Sequence, residues 1–473
     1  ALALLPIETS FTLPAELMFA IFVAPVLLDA AYDASVRDLK DNWAPVTGLV
    51  VFAVGLTTAA VAFVVRALMP EVPLAAAVAL GAIVAPPDAV AATAVLRPLK
   101  PPQRILTVLE GESLLNDASA LLIYRLAVGA VAADAFSASA VAPAFLFGVL
   151  GSIVVGPVLG KISLRALTLV EHVPTSIILQ FVTTIGVWLL AEGLWLSGVL
   201  TMVCYAITLA QSAPARTPAR SRIPTYAVWE TAVFALNILA FIFIGLQLRP
   251  ILNALNPADR TAYFIVALAV LVTAIVVRIA WHMAFNAVVR YRDRVFGFNP
   301  PRPTLRPTVG SGMVISWSGM RGIVSLAAAM ALPADFPFRD LILLTAFSVV
   351  LGTLVLQGLT LKWLLRKVAL RDDDPVGKEV SLARAHALEA GLASFADDRS
   401  AIADAVRQEF TARLHPRPSV AAVTSAHGDL HRRAVGAARQ AVLDLRAEQE
   451  IGDDAFHQVE EDLDWLEMAG GRS

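Results

Sequence analysis

Charged residues are scarce in this sequence, and their scarcity sets the class of the protein. Only 16% of the 473 residues are Asp, Glu, Lys or Arg, whereas 57% are hydrophobic and the mean hydropathy is +0.69. A soluble domain carries about 25% charge. Apolar runs of about 20 residues, long enough to cross a hydrocarbon core of roughly 30 Å, recur from the start to about residue 367. The sequence therefore indicates a polytopic membrane protein.

Other absences narrow the class further. The single cysteine, Cys204, excludes a disulfide framework within the chain and a cysteine metal cluster. The alternating strands of about ten residues that are typical of membrane barrels are missing. We find no Gly-rich phosphate loop, zinc motif or nucleophile elbow, so we expect neither an enzyme nor a cofactor. The predicted fold class is an all-α membrane protein, because helices satisfy their own backbone polar groups in lipid.

Eleven segments are predicted to cross the membrane, and a soluble part follows them. The segments are 12–32, 43–69, 74–96, 104–132, 138–161, 174–193, 195–212, 226–248, 260–288, 308–332 and 339–366. From Arg371 to the end, 12 basic and 20 acidic residues give a net charge of −8, which leaves +6 for the preceding residues. We therefore predict a transmembrane domain at 1–367 and an acidic helical tail at 368–473. The stretches "SLARAHALEAGLASFADD" and "AVLDLRAEQEIGDDAFHQVEEDLDWLEM" should be helical. The second is either an amphipathic segment that binds a regulatory ligand or protein, or a solvated face with no specific role.

Lys and Arg residues are distributed unequally between the two sets of alternate loops. One set holds 15 of them, from Arg37 to Arg306, and the opposite set holds 4. Because basic loops stay in the cytoplasm, the first set is predicted to be cytoplasmic. The tail follows on the same side, so we expect a multi-pass protein of the cell (inner) membrane with a cytoplasmic C-terminal tail.

The stretch "EGESLLNDASALLIYR" places ionisable groups in the middle of an apolar segment. Asp117 follows Arg104 by 13 residues, or about 20 Å of helix, which is near the membrane midplane. Ser113 with Asp117, and Glu112 with Asn116, are i, i+4 pairs that form one polar stripe. An isolated carboxylate at this depth is costly, so Asp117 must face a cavity, a cation or a partner. The alternative is a buried salt bridge that only fixes helix packing.

Two basic residues also lie within predicted spans. The Arg278 guanidinium cannot lose its charge and needs an acid, and Glu112 is the best candidate for a structural ion pair. Arg321 lies in "VISWSGMRGIVSLAA", between two glycines. Asn237 lies deep in span 226–248, where it could line a cavity or bond a neighbouring helix.

Two of the predicted spans are interrupted near the membrane centre. Pro86 and Pro87 remove two backbone donors from "LGAIVAPPDAVAATAVL", and Gly319 and Gly322 flank Arg321 in the second-last span. Paired interrupted spans indicate a transporter binding site.

The charged residues at the two interruptions fit the dipoles of half-helices. Asp88 follows the prolines at the start of a half-helix, where an anion is favoured, and Arg321 could lie where half-helices end. We expect a scaffold role for both before a transport role. The alternative is a proline kink with a buried Asp88–Arg321 pair.

These stretches, in their order and spacing, resemble the monovalent cation/proton antiporters of the bacterial NhaP and animal NHE type, over roughly residues 12 to 367. The resemblance implies thirteen helices in two inverted repeats, with two crossing discontinuous helices and a homodimer. The eleven segments align best with helices three to thirteen, so we expect about two helices of the family to be missing from the N-terminus of this chain. The core would comprise about 74–132 and 260–366, and the remaining helices would form the dimerisation scaffold.

The resemblance also implies roles for the polar residues. Asn116 and Asp117 match the family's Asn-Asp pair, in which Asp117 would bind cation and proton in turn. Ser113 matches a serine that is a cation ligand, so that Asp117 and Ser113 would hold the transported metal ion. Glu112 with Arg278 matches the core ion pair.

The chain departs from the family pattern at one position of the site. Where the family often has Thr-Asp-Pro, this sequence has Pro87, Asp88 and Ala89, so a hydroxyl ligand is lost and only the Pro87 carbonyl oxygen remains. The transported ion is therefore left open between Na⁺, Li⁺ and K⁺, although hard oxygen ligands suit Na⁺ or Li⁺.

The expected activity is exchange of a cation for a proton. Burial disfavours the charged form of Asp117 and a nearby cation favours it, so the two ions compete for one carboxylate. With Asn116 in place of a second acid, the predicted exchange is one for one and electroneutral. The alternatives are a cation channel and a sodium-coupled organic-anion symporter.

Overall fold

The computed structural model describes residues 15–35, 37, 52–99, 101–132, 138–297, 308–368, 375–414 and 425–470. Within these ranges the regular structure is helical, and no strand is present. Lys40, Lys100, Arg302 and Arg306, which contributed to the predicted orientation, lie outside the described residues.

Among the described residues, the membrane part comprises helices α1 to α14. It begins with α1 (Ala15–Met18), a π-helical turn (Phe19–Val23) and α2 (Ala24–Tyr32), followed by α3 (Val54–Leu68), α4 (Leu74–Val84) and α5 (Ala89–Leu96). Next come α6 (Gln103–Ala132), α7 (Ala138–Thr168), α8 (Val173–Gly193), α9 (Gly198–Ser212) and α10 (Ala219–Ala254). The last four are α11 (Arg260–Phe296), α12 (Val309–Trp317), α13 (Ile323–Met330) and α14 (Arg339–Val368).

Each predicted segment contains helix, but several helices are longer than the segments. In the described part of the chain, seven helical stretches are long and apolar enough to cross a membrane. The segments predicted at 226–248 and 260–288 extend as α10 and α11 to 219–254 and 260–296. The cause is that charge marks the edge of the apolar layer, whereas Arg is a good helix former and continues the helix beyond it. The start of the segment predicted at 43–69 lies outside the described residues.

Small residues allow the membrane helices to approach one another closely. A Cβ added at Gly81 of α4 would lie 2.6 Å from the Thr58 carbonyl oxygen of α3. One added at Gly156 of α7 would lie 2.7 Å from the Cβ of Cys204 on α9. Close backbone contact at such positions is a common basis of helix association in membranes. Cys204 is therefore part of the packing between α7 and α9.

Large apolar side chains remain exposed on the sides of the helices. Phe63, Phe147 and Leu359 are 75%, 61% and 79% exposed. Such a surface is unfavourable in water, but it is suited to contact with lipid chains.

The tail is a helical unit with its own apolar cluster. It comprises α15 (Pro375–Ala393), α16 (Ala401–Leu414), α17 (Ser425–Ala447) and α18 (Asp453–Gly470). The second stretch predicted to be helical is not continuous, because a turn between Ala447 and Asp453 divides it into the end of α17 and α18. Gln449 adopts a left-handed φ of 63° in this turn. A Cβ at Gly452 would lie 2.2 Å from Arg37 Nη2, so a larger residue here would require the Arg37 side chain to move.

Candidate functional site

The two interrupted spans meet through their linkers. Residues 85–88 join α4 to α5, and residues 318–322 join α12 to α13. The backbone N–H of Asp88 donates a hydrogen bond to the Met320 carbonyl oxygen at 2.6 Å. Because Pro86 and Pro87 cannot donate within a helix, their linker leaves the helical conformation and exposes backbone groups to this contact.

Two of the four half-helices, α5 and α13, have their N-termini at the Asp88 carboxylate. It accepts a hydrogen bond from Val90 N–H at 2.8 Å, and it interacts with the N–H groups of Ala91 and Ile323. Asp88 thus caps α5 and lies at the start of α13, where a negative charge is favoured. A Cβ on Gly322 would lie 1.6 Å from Asp88 Oδ2, so the glycine is what allows this approach.

Arg321 lies near the C-terminal ends of the other two half-helices, α4 and α12, and is fully buried. Its Nε donates to the Val84 carbonyl oxygen at the end of α4, at 2.9 Å, and its Nη1 donates to the Gly319 carbonyl oxygen. The last carbonyl groups of a helix carry partial negative charge and lack helical partners. Asp88 and Arg321 therefore have separate partners, and the alternative of a simple ion pair between them is not what the structure contains.

The polar stripe of α6 faces the place where the two linkers, residues 85–88 and 318–322, meet. We call this place the crossing. Ser113 Oγ accepts a hydrogen bond from Ala89 N–H at 3.2 Å, at the first residue of α5. Asp117 is 6% exposed, and in the described part of the chain no hydrogen bond or ion pair reaches its carboxylate. Asn116 is completely buried, and neither of its side-chain polar atoms has a partner among the described residues.

The ion pair expected between Glu112 and Arg278 is present. Arg278 Nη1 lies 2.6 Å from Glu112 Oε1, and Nη2 lies 2.9 Å from Oε2, a bidentate arrangement with both residues buried. The pair joins α6 to α11. A Cβ on Gly319 would lie 2.2 Å from Arg278 Cδ, so the linker glycine makes room for this side chain.

The structure adds two residues that the sequence reasoning did not assign to the site. His282 Nδ1 is 3.0 Å from the Arg278 carbonyl oxygen, and its Nε2 is 3.7 Å from Glu112 Oε2. Thr353 Oγ1 accepts the backbone N–H of Arg321 at 3.0 Å and so fixes the linker to α14. In the sequence, the i, i+4 pair of polar residues Thr353 and Gln357 in an apolar helix could have indicated a buried contact. In the structure both residues are completely buried.

Two predicted residues differ in their distance from the site. Pro87 is buried in the linker immediately before Asp88, so its carbonyl group belongs to the crossing. Asn237 is half-buried on α10, and the structure does not bring it into hydrogen-bond contact with any described group of the crossing.

Comparison with known proteins identifies relatives along most of the chain. A family model described as "Sodium/hydrogen exchanger, transmembrane" matches residues 4–367. An uncharacterized Na⁺/H⁺ exchanger from Mycobacterium tuberculosis is 30% identical over 494 aligned residues, covering 99% of this chain and 89% of the relative. A sodium, potassium, lithium and rubidium/H⁺ antiporter from Bacillus subtilis is 32% identical over 371 residues, covering 74% of this chain and 54% of the relative.

A solved structure shares the fold. The sodium proton antiporter MjNhaP1 from Methanocaldococcus jannaschii matches with a TM-score of 0.58 at 18% sequence identity. The match covers 75% of this chain and 86% of that protein. The predicted fold class, an all-α membrane protein with the antiporter fold, is therefore confirmed.

Proposed function

Because the chain belongs to the sodium/hydrogen exchanger family, we propose that it is a secondary active transporter that exchanges Na⁺ for H⁺ by alternating access. Li⁺ and K⁺ are further candidate ions, since the B. subtilis relative is named for transport of sodium, potassium, lithium and rubidium. The chain is proposed to act in the cell (inner) membrane, as a homodimer with a cytoplasmic tail, and to contribute to pH homeostasis.

The observation that carries the proposal is the environment of the Asp117 carboxylate. This carboxylate is buried, and no described side chain or backbone group compensates it. Asp88, the acid whose charge acts on it, makes a second negative charge unfavourable. A buried carboxylate in this setting either takes up a proton or holds a cation. Asp117 is therefore proposed to bind the two ions in turn.

The remaining ligands are oxygen atoms around Asp117. The Asn116 side chain, the Ser113 hydroxyl group and the Pro87 carbonyl group are proposed to complete the cation site. The two unpartnered polar atoms of Asn116 support this assignment, because buried polar groups usually have a hydrogen-bond partner or a ligand. A hydroxyl oxygen and a carboxylate oxygen are hard ligands, which suit Na⁺ and Li⁺.

The other polar residues of the crossing are proposed to have a structural role. Asp88 and Arg321 neutralise the ends of the four half-helices, and the Glu112–Arg278 pair holds α6 against α11. Asn237 is proposed to line the path to the site. With a single exchangeable carboxylate, one cation replaces one proton and no net charge moves.

The test is antiport in proteoliposomes. A pH gradient that is dissipated by external Na⁺, Li⁺ or K⁺ is expected for the wild type. Asp117→Asn is isosteric, cannot exchange a proton, and should abolish this dissipation, whereas Asn237→Ala should leave it measurable. Full exchange by Asp117→Asn would refute the carrier role, and a robust current at zero potential would refute electroneutrality.

The same vesicles separate the two rival functions. A cation channel would conduct at rates near diffusion and without coupling to pH. A sodium-coupled symporter would take up Na⁺ only when an organic anion is added. Either result would replace exchange as the function.

A further inference from the structure

An arginine near the outer end of α6 contacts the scaffold helices. Arg125 follows Asp117 by eight residues, which is about 12 Å along the helix, toward the outer side in the proposed orientation. Its Nη2 donates to both carboxylate oxygens of Glu192 at the end of α8, and its Nη1 donates to the Leu196 carbonyl oxygen at 3.1 Å. The helix that carries Asp117 is therefore attached to the scaffold by this side chain. We call Arg125 and Glu192 the outer ion pair.

The turn that holds one of the acceptors is packed tightly within the scaffold. Residues 194–197 join α8 to α9. The Ser152 hydroxyl group of α7 accepts the N–H of Ser197 at 3.1 Å and lies 3.2 Å from the carbonyl oxygen of the same residue. Leu196 is 2% exposed, and a Cβ at Gly151 of α7 would lie 2.5 Å from its side chain. The turn is therefore fixed to α7 and not to α6.

The Glu192 carboxylate lies at the start of α9. A Cβ on Gly198, the first residue of α9, would lie 2.6 Å from Glu192 Oε1. The missing side chain is what allows the carboxylate to come so close to the helix. Backbone N–H groups at the start of a helix lack helical partners and favour a negative charge. The negative charge of Glu192 is thus stabilised from two sides, by the start of α9 and by Arg125.

Apolar side chains line the outer half of the boundary between core and scaffold. Leu326 and Met330 of α13, in the core, lie around one small apolar pocket with Met18 of α1, Phe22 of the π-helical turn and Phe243 of α10. An ion could pass between these side chains only by losing its water, which is very costly among apolar groups. This part of the boundary is therefore closed to ions, and the outer ion pair lies on the same side of the membrane.

We propose that Arg125 and Glu192 are positioning residues for exchange, which stabilise the conformation closed to the outside and separate when the core moves to open outward. This inference rests on the proposed exchange by alternating access. Asp117 and Arg125 belong to one continuous helix, α6, so a displacement of Asp117 relative to the scaffold also displaces Arg125. Because the acceptors are fixed to α7, α8 and α9, they cannot follow Arg125.

The exposure of the outer ion pair suits a contact that is broken in every cycle. The side chains of Arg125 and Glu192 are 40% and 29% exposed. Water can solvate both charges once they separate, whereas the buried Glu112–Arg278 pair has no such compensation. A pair of this exposure changes the ratio of two conformations by about two- to fivefold. The outer ion pair therefore biases the equilibrium without locking it.

The first experiment measures the apparent KM for Na⁺ separately at the two faces of the membrane. Right-side-out vesicles present the outer face of the full-length protein, and everted vesicles present its cytoplasmic face. Arg125→Gln and Glu192→Gln each remove one partner and should increase the share of protein that is open to the outside. Because the apparent affinity at one face scales with the share of protein open to it, the ratio of the outer KM to the cytoplasmic KM should fall about two- to fivefold.

Two further variants are the controls. Arg339→Gln removes the same charge near the outer surface, but Arg339 donates to the Leu332 carbonyl oxygen at 3.2 Å, within the core. Its KM ratio should equal that of the wild type. Arg125→Lys keeps the charge without the fork of two parallel donors and should give an intermediate ratio. A variant that only lowers the amount of folded protein would reduce the rate in both kinds of vesicle and leave the ratio unchanged.

The second experiment prevents the separation. In a Cys204→Ser background, Arg125→Cys with Glu192→Cys is treated with a bis-methanethiosulfonate reagent whose spacer replaces the length of the ion pair. Exchange should fall in proportion to the cross-linked fraction, and a reductant should restore it. Glu192→Cys with Trp195→Cys is the matched control, because both positions lie in the scaffold and Trp195 is 84% exposed. Its cross-link should leave exchange unchanged.

The outcomes separate this role from the proposed function. Absence of exchange in the wild type, or full exchange by Asp117→Asn, would refute the function itself. Normal wild-type exchange with an unchanged KM ratio in Arg125→Gln and Glu192→Gln would overturn the positioning role. Exchange that survives complete cross-linking of positions 125 and 192 would overturn it as well, and failure of these cysteines to cross-link would contradict the contact on which it depends.

Discussion

Removing one member of the Glu112–Arg278 pair should destabilise the protein far more than removing both. The two side chains are 1% and 3% exposed and form two hydrogen bonds of 2.6 and 2.9 Å. Glu112→Leu would leave the guanidinium without its acid in a site that water does not reach. Breaking a buried pair in this way costs about 3–5 kcal/mol, whereas an apolar replacement of both partners is often neutral or stabilising. Glu112→Leu with Arg278→Met should therefore recover most of the stability lost by Glu112→Leu alone.

The assay is denaturant-induced unfolding of the purified protein in mixed micelles. The wild type, both single variants and the double variant give a coupling free energy, because the two residues are in direct contact. Glu71→Leu serves as the control, since Glu71 is exposed in the turn between α3 and α4 and should change stability by less than about 0.5 kcal/mol. A double variant no more stable than Glu112→Leu would show that the pair does not act as a unit, and the reasoning would be wrong.

Two further predictions concern the crossing. Gly322→Ala should destabilise the protein by about 1–3 kcal/mol, because its Cβ would lie 1.6 Å from Asp88 Oδ2; Gly245→Ala, with nothing within 4 Å of the new Cβ, should be neutral or stabilising in the same unfolding assay. Ser113→Ala should raise the apparent KM for Na⁺ about fivefold, the equivalent of roughly 1 kcal/mol for a lost hydroxyl group. Ser113→Thr keeps the hydroxyl and should retain the wild-type KM; equal values for the two variants in the proteoliposome assay would contradict the ligand role.

Much of the membrane fold and of the site could be predicted from the sequence, because lipid makes polar groups expensive. Asp117 and Arg278 are conspicuous in apolar segments, and each must find a partner or a function. The prolines before Asp88 mark an interruption wherever the segment lies in the fold. The ends of α10 and α11 were less predictable, since hydropathy reports the thickness of the membrane and not the length of the helix.

The contacts between distant segments could not be predicted in the same way. The pair of Thr353 and Gln357 marks a polar position in an apolar helix, but the sequence does not identify the Arg321 N–H as the partner of Thr353, since the two residues are 32 positions apart. His457 lies in an acidic helix of the tail, and nothing in the sequence of that helix indicates that its ring contacts Tyr32 and Tyr226.

The sequence by itself determined that the chain crosses the membrane as helices, that two of these are interrupted, and that a carboxylate lies at their level. These properties depend on the free energy of each residue in lipid or water, which is local. The tertiary structure decided that the Asp88 carboxylate meets the N-termini of α5 and α13, and that Arg321 donates to carbonyl groups at the ends of α4 and α12. It also decided that α18 contacts both α6 and α10. These depend on which surfaces come within a few ångströms of one another, and such proximity exists only once the helices have packed.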